Sequence, residues 1–265
     1  MRCAKGGRNM PANRRLLRFA PLLLLAAVLL VWEILCRALQ VSEFIFPAPS
    51  AIVASLIEFA PVIAMHAWRT FWTTMAGFAI SIVTGVLLGF LIGSSRLAYA
   101  AVYPLMTAFN ALPKAAFVPV LVVWFGIGAG PAILTAFLIS FFPIVVNVAT
   151  GLATIEPELE DVLKALGASK LDIMRKVGIP RSMPYFFGSL KVAITLAFVG
   201  SVVSETVASN SGLGNMMASA QSNFNVPLVF AGLLMLAIEG IAMYALMAWV
   251  EKRMTGWAHR STMSN

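Results

Sequence analysis

Apolar residues fill this chain in blocks of about twenty, joined by short polar segments, and one joint is longer and more charged than the rest. A bilayer core of ~30 Å is crossed by about 20 mostly apolar residues in a helix. Six such blocks can be read, at about residues 16–35, 71–92, 98–125, 131–152, 185–208 and 227–250. In the second block Gly77, Gly85, Gly89 and Gly93 recur at or near multiples of four, a spacing that lets another helix approach closely. The third block is interrupted by Pro104, Pro113 and Pro119 and carries Lys114, so it predicts a broken or kinked helix. The fold expected is all-α, a polytopic membrane protein with six transmembrane helices.

The long polar joint is centred on Asp161 to Pro180. Glu156 and Pro157 open a first helix, because proline suits the first helical position, and Gly167 can close it in the left-handed conformation. Ser169 and Asp172 have capping-box spacing for a second helix, with Gly178 and Pro180 as its stop. Five bases (Lys164, Lys170, Arg175, Lys176, Arg181) face five acids (Glu156, Glu158, Glu160, Asp161, Asp172), a mixed surface that suits a protein partner better than lipid.

Composition agrees with a membrane protein. Sixty per cent of residues are hydrophobic and 11% are charged, against about a quarter charged in soluble domains. Lysine and arginine are retained on the cytoplasmic side of short loops. Six bases lie before or in the first turn of the first block (Arg2, Lys5, Arg8, Arg14, Arg15, Arg18), Arg96 follows the second, five lie in the polar joint, and Lys252, Arg253 and Arg260 follow the sixth; only Arg37 and Arg69 fall on the opposite side. Both termini are therefore expected in the cytoplasm. The net charge of +8 is accounted for by topology, and a nucleic-acid partner is not required. The division that results is a basic tail over 1–15, a first transmembrane helix over 16–36, a periplasmic segment over 37–70, a core of five helices over 71–250 with a cytoplasmic loop over 154–184, and a tail over 251–265. A cleaved signal peptide is the rival reading of the N-terminus, but the apolar run continues past Trp32 without a clear small-x-small site. Cys3 and Cys36 fall on opposite sides of the membrane, and no disulfide is expected.

No catalytic or metal site emerges. His66 and His259 stand alone in sequence, and no phosphate-binding glycine loop is present, so any ATP is bound by another chain. Glu205, at the end of an apolar block, is either a pathway group or an interfacial carboxylate. Gly212 and Gly214 form either a bend that returns the outer loop toward the pathway or an ordinary turn. Lys114 reads as a group attracting an anionic solute or as a snorkelling side chain beside a proline break. Glu239 could pair with a neighbour or face a cavity, and Lys191 reads as an interfacial anchor. Trp68, Phe71 and Trp72 read as interfacial anchors preceding the second helix, and Ile52 to Met65 as a short helix on the outer surface.

The polar joint resembles the cytoplasmic loop of ABC importer permeases, whose pattern is E-A-A, three residues, G, nine residues, I-x-L-P. Asp161 stands for the Glu, Gly167 lies six residues later, Val177 and Ile179 stand for Ile and Leu, and Pro180 lies thirteen after the glycine; the two alanines are Val162 and Leu163. Four further blocks, FPAPS (46–50), NALPK (110–114), WFGIG (124–128) and Glu205 followed by SGLG (211–214), are similar to the nitrate, taurine and alkanesulfonate importers and their relatives for small solutes such as pyrimidines. The resemblance implies a type I importer permease fold in the cell inner membrane, with Asp161, Val162, Leu163, Leu166, Gly167, Ala168, Val177, Ile179 and Pro180 as the ATPase-coupling residues. It implies as partners two ATPase subunits holding ATP and Mg, a second permease copy, a periplasmic solute-binding protein and membrane lipid, with no cofactor in this chain itself. Glu205, Gly212, Gly214 and Lys114, weighed above from their chemistry, are the candidates for the solute pathway. The alternative is a channel or scaffold independent of any ATPase.

Overall fold

A computed structural model describes residues 12–153 and 157–255; within these, the side chains at 12–18, 96, 157–160 and 170–171 are not described. The bases Arg2, Lys5, Arg8 and Arg260, together with Cys3, Glu156 and His259, lie outside the described residues.

Helices dominate because apolar blocks in a bilayer must satisfy their backbone groups internally. They are α1 (Ala12–Ala38), α2 (Pro49–Glu58), α3 (Ala60–Gly93), α4 (Arg96–Asn110), α5 (Val118–Phe125), α6 (Ala129–Ala153), α7 (Pro157–Ala165), α8 (Lys170–Ile173), α9 (Ile179–Ala208), α10 (Leu213–Ser222) and α11 (Val226–Thr255). Five segments are long and apolar enough to cross a membrane, and α4 and α5, bent by 72° at their junction, make a sixth if the pair is one span. The side that carries Arg37 and Arg69 is called the outer side.

The glycine repeat of α3 is the seam of the fold. A Cβ at Gly77 would lie 2.5 Å from Ile133 O, at Gly85 2.8 Å from Ile144 Cγ2, at Gly89 2.7 Å from Val148 Cβ and at Gly93 2.8 Å from Ala149 O. Helices α3 and α6 therefore touch backbone to side chain over four successive levels, as the spacing predicts. Midway along, the Ser81 and Ser140 hydroxyls meet at 2.6 Å. On the other side of α6, Gly200 of α9 approaches Thr135 O, where a Cβ would lie 3.0 Å away. Phe78, Ile144, Val148, Leu190, Ile194 and Met243 fill the core around this three-helix layer and α11.

Two boundaries differ from the sequence reading. Helix α3 begins at Ala60, eleven residues before the apolar block, so Trp68, Phe71 and Trp72 lie on the helix itself and not ahead of it. Residues 52–65 accordingly divide between α2 and the first turns of α3. A helix need not end where lipid ends, and hydropathy does not register its continuation into a polar layer. At the other membrane face Gly178 and Pro180 do not stop a helix. Met174–Gly178 form a π-helical turn in which Ile179 N–H bonds Met174 O, and the chain passes straight into α9. Proline lacks a donor and its ring crowds the carbonyl four residues back; the widened turn takes up that mismatch.

Helix α1 stands outside the core, with nearly all its apolar side chains exposed. Its outer end is fastened by the FPAPS block: Trp32 stacks on Phe46 at 4.9 Å, and both rings contact Phe230 of α11. Glu33 accepts hydrogen bonds from Ser50 N at 3.0 Å and Ser50 Oγ at 2.8 Å while pairing with Arg37 at 2.6 Å. The N-cap of α2, Ala48, has no side-chain acceptor, so Glu33 supplies one from another helix.

Candidate functional site

The polar joint folds as its short-range signals require. Gly167 adopts φ +85°, its N–H bonds Lys164 O at 2.9 Å and Ala168 N–H bonds Leu163 O at 3.0 Å. This pair of bonds is a Schellman motif, which ties off α7 and leaves few carbonyls unpaired. Immediately after it, Ser169 N–H bonds Asp172 Oδ2 at 3.2 Å, Asp172 N–H bonds Ser169 Oγ at 3.2 Å, and the Ser169 hydroxyl donates to the same carboxylate. The reciprocal bonds make the capping box. Those Ser169 hydrogen bonds hold the Asp172 carboxyl below the ordinary aspartate range, with a smaller pull from Lys176.

This double lock ends α7 and starts the next turn of helix within three residues. Asp161, Val162, Leu166 and Gly167 are exposed, Leu163 and Ala168 half-buried, while Val177 is half-buried in the π-helical turn and Ile179 and Pro180 are exposed at the start of α9. Val162 is 56% and Leu166 78% exposed, and four residues apart they share one face of α7. Two such side chains on a polar helix form an uncovered apolar contact point. The Asp161–Lys164 pair beside them, at 3.8 Å and open to solvent, adds little stability.

At the outer end of α9, Glu205 is 1% exposed. Its carboxylate accepts from Thr70 Oγ1 at 2.8 Å, Thr73 Oγ1 at 3.1 Å and Gly214 N at 3.3 Å. Thr70 Oγ1 in turn accepts from Leu213 N at 2.8 Å, and Thr73 Oγ1 meets Ser201 Oγ at 2.6 Å. The carboxyl group thus sits at the N-terminus of α10, where it accepts from one of the helix's unpaired N–H groups. Gly212 has φ +104° and lies so close that an added Cβ would come within 2.5 Å of Glu205 Oε1; at Gly214 it would lie 2.6 Å from Val202 O. Both glycines are needed for the chain to fold back over the carboxylate. Glu205 therefore joins α3, α9 and α10 inside the subunit.

His66, isolated in sequence, is not isolated in space: Nδ1 lies 3.0 Å from Gly212 O and 3.1 Å from Gly212 N, one bond being made in each tautomer. Sequence alone does not mark His66, Thr70, Thr73 or Ser201 as neighbours of this carboxylate cluster. Lys191 is paired with Glu251 of α11 at 2.6 Å. Glu239 is buried, and neither carboxylate oxygen has a hydrogen-bond partner among the described residues. Lys114 does not snorkel: Nζ turns back to Asn110 O at 2.9 Å and Asn110 Oδ1 at 2.8 Å. Among the described residues no group of three or more His, Cys, Asp or Glu could hold a metal.

Comparisons with known proteins fit this architecture. Residues 81–256 match the family described as binding-protein-dependent transport system inner membrane component. A probable ABC transporter permease protein of Haemophilus influenzae is 31% identical over 233 residues, covering 88% of this chain and 95% of its own length. The formylaminopyrimidine transport permease protein ThiX of Halalkalibacterium halodurans is 31% identical over 238 residues, 89% of this chain and 95% of that one. The taurine transport system permease protein TauC of Escherichia coli is 24% identical over 240 residues, 88% of this chain and 87% of that one. Among solved structures, the inward-facing MetNI methionine ABC transporter superposes with a TM-score of 0.65 at 20% identity, covering 75% of this chain and 98% of the matched one, which shows a shared fold. With five helical segments able to cross a membrane and a sixth if α4 and α5 form one bent span, the lone long polar helix-turn-helix among the described residues and a family match over about two thirds of its length, the chain belongs to the binding-protein-dependent inner membrane components and is a permease subunit of an ABC importer.

Proposed function

We propose that this subunit works as one of two copies around a solute path, with both termini in the cytoplasm and an ATPase subunit seated on each copy's α7–α8 segment. ATP and Mg belong to those ATPase subunits, and a periplasmic solute-binding protein delivers a small solute to the outer face. Formylaminopyrimidine and taurine, named for two relatives, mark the range of solute size that the assignment covers.

The observation that carries this reading is the locked helix-turn-helix with its uncovered Val162 and Leu166. Side chains of this size on a polar, water-facing helix need a cover, and an apolar cleft on a partner protein supplies one. The bulk of Val162 and Leu163, where the family pattern has alanines, calls for a correspondingly roomy cleft. Closure of two ATPase subunits would push on α7, and the π-helical turn would pass that motion into α9.

Purification of the tagged protein in mild detergent tests the assignment through the ATPase that accompanies it. Leu166→Asp should release the ATPase while the membrane subunit stays monodisperse, and Gly167→Pro, which removes the N–H bonded to Lys164 O, should abolish ATP-driven uptake at normal expression. Full uptake by Gly167→Pro would remove the segment from the coupling role. Absence of any ATPase from the wild-type complex would favour the ATPase-independent channel.

A further inference from the structure

Between α9 and α11 runs a groove that the described residues do not fill. Gly188 and Val192 form one lip and Tyr244 the other, and the hollow continues past Thr195 to Phe198 and Gly240. Gly188 lies inside α9, where glycine costs stability relative to alanine unless a close approach requires it. Gly200 of the same helix has such an approach, since a Cβ there would lie 3.0 Å from Thr135 O; at Gly188 a Cβ would meet nothing within 4 Å. Packing among the described residues therefore gives no reason for the notch.

The two ends of the groove differ. At the deep end, halfway along α11, the Phe198 ring covers Gly240, where a Cβ would lie 3.1 Å from Phe198 Cε1. At the other end, on the α7–α8 side of the protein, Lys191 meets Glu251 at 2.6 Å. Gly240 to Glu251 is about 16 Å along the helix, half of a ~30 Å hydrocarbon core. A membrane-spanning helix needs a seat across the whole core, whereas an acyl chain needs one leaflet. The open end is also cationic. The Lys191 ammonium has three donors, and its bond to Glu251 uses one. Ile241, Tyr244, Ala248 and Lys252 follow one stripe of α11 at three- and four-residue spacing, so Lys252 stands just beyond the open end. It is exposed and has no carboxylate partner among the described residues. Lys191 and Glu251 cancel, and Lys252 leaves this end with a net positive charge.

We propose that the α9–α11 groove binds one phospholipid from the leaflet on the α7–α8 side, with an acyl chain lying over Gly188 as far as Phe198 and an anionic headgroup held by Lys252 and the remaining donors of Lys191. An apolar slot one leaflet deep, closed at the bottom and positive at the mouth, matches a chain with one charged end. Seated there, the lipid bridges two helices that otherwise leave a gap, and its binding stabilises the folded pair.

Native mass spectrometry of the full-length protein, purified in mild detergent with its bound partners and stripped of lipid, measures its affinity for phosphatidylglycerol and for phosphatidylcholine of identical chains. The expected result is one phosphatidylglycerol per chain, held about fivefold more tightly than phosphatidylcholine, the effect of one basic side chain near a headgroup. Lys252→Gln, a change at an exposed position, is expected to remove that preference and leave phosphatidylcholine binding as it is. Gly188→Leu, whose side chain enters open space, is expected to weaken both lipids about tenfold, as the loss of two buried methylenes would. Val192→Trp, on the same lip, serves if Gly188→Leu does not fold. Equal affinity of the wild type for the two lipids, a preference unmoved by Lys252→Gln, or unchanged binding with the notch filled would each overturn the proposal. So would a cross-link between two copies from a photo-reactive benzoylphenylalanine placed at Val192 in native membranes, which would put a protein helix in the groove.

Discussion

Replacing Gly212 with alanine tests whether the outer turn is built around Glu205. Gly212 has φ +104° and ψ 160°, a region that only glycine occupies comfortably, and a Cβ there would collide with the Glu205 carboxylate. The backbone strain is worth ~1–3 kcal/mol. The clash, an overpacking of a filled site, adds ~1–3 kcal/mol. A total near ~4 kcal/mol corresponds to a drop on the order of 10 °C in the unfolding midpoint of a chain this size. Gly126 supplies the control, because its φ of +77° and ψ of 176° lie in the same region while nothing stands within 4 Å of an added Cβ. Gly126→Ala should therefore show the strain alone. In the double variant Glu205→Ala/Gly212→Ala the clash disappears, so the two substitutions should be less than additive by ~1–3 kcal/mol, well above the scatter of independent sites. The assay is thermal unfolding of the purified protein in mild detergent, followed by the monodisperse fraction on size exclusion. Equal costs for Gly212→Ala and Gly126→Ala, or strict additivity with Glu205→Ala, would refute the argument.

Gly89→Leu should prevent recovery of folded protein, because its first side-chain atom already lies 2.7 Å from Val148 Cβ and overpacking of this seam costs ~3 kcal/mol or more; the yield of monodisperse protein checks it. The Asp172 carboxyl should titrate below the ordinary 3.8, and Ser169→Ala should return it toward that value, as followed by carbon NMR of labelled aspartate in the intact protein. Because its folded value is depressed, the capping contribution of Asp172 is fully present above pH 3.8 and is lost as pH falls through the lower folded midpoint. Lys191→Glu should lower thermal stability by placing two carboxylates together, and Lys191→Glu/Glu251→Lys should restore much of it; no recovery would mean that the 2.6 Å pair does not join α9 to α11.

The parts of this protein legible in sequence are those governed by near neighbours. Gly167 needs only its own φ, and the Ser169–Asp172 box needs three residues of spacing, so both are readable without any tertiary information. The α3–α6 seam is legible on one side: the glycine spacing announces a close approach and leaves the partner helix unnamed. The start of α3 is hidden because His66, Arg69 and Thr70 lower the hydropathy of turns that are nonetheless helical. The Glu205 cluster is hidden by distance along the chain, since Thr70 and Thr73 lie more than 130 positions from the carboxylate they serve. A signal does exist in Thr70, Thr73, Thr74, Gly77 and Ser81, which mark a small and polar stripe along one face of α3. The π-helical turn before Pro180 has no such signal. Proline spacing says where a regular helix is in difficulty, and whether the chain stops or widens is decided by what packs around it.

That turn makes α9 a lever. Its thirty residues span about 45 Å, with Pro180 at one end and Glu205 near the other. A rigid tilt of about 10° pivoted at the π-helical turn would carry the far end through on the order of 8 Å, an arc set by helix length alone. Because Glu205 and Gly212 hold that end to α3 and α10, such a swing would drag the outer turn with it, so a small push near Pro180 would become a displacement several times larger at the far end.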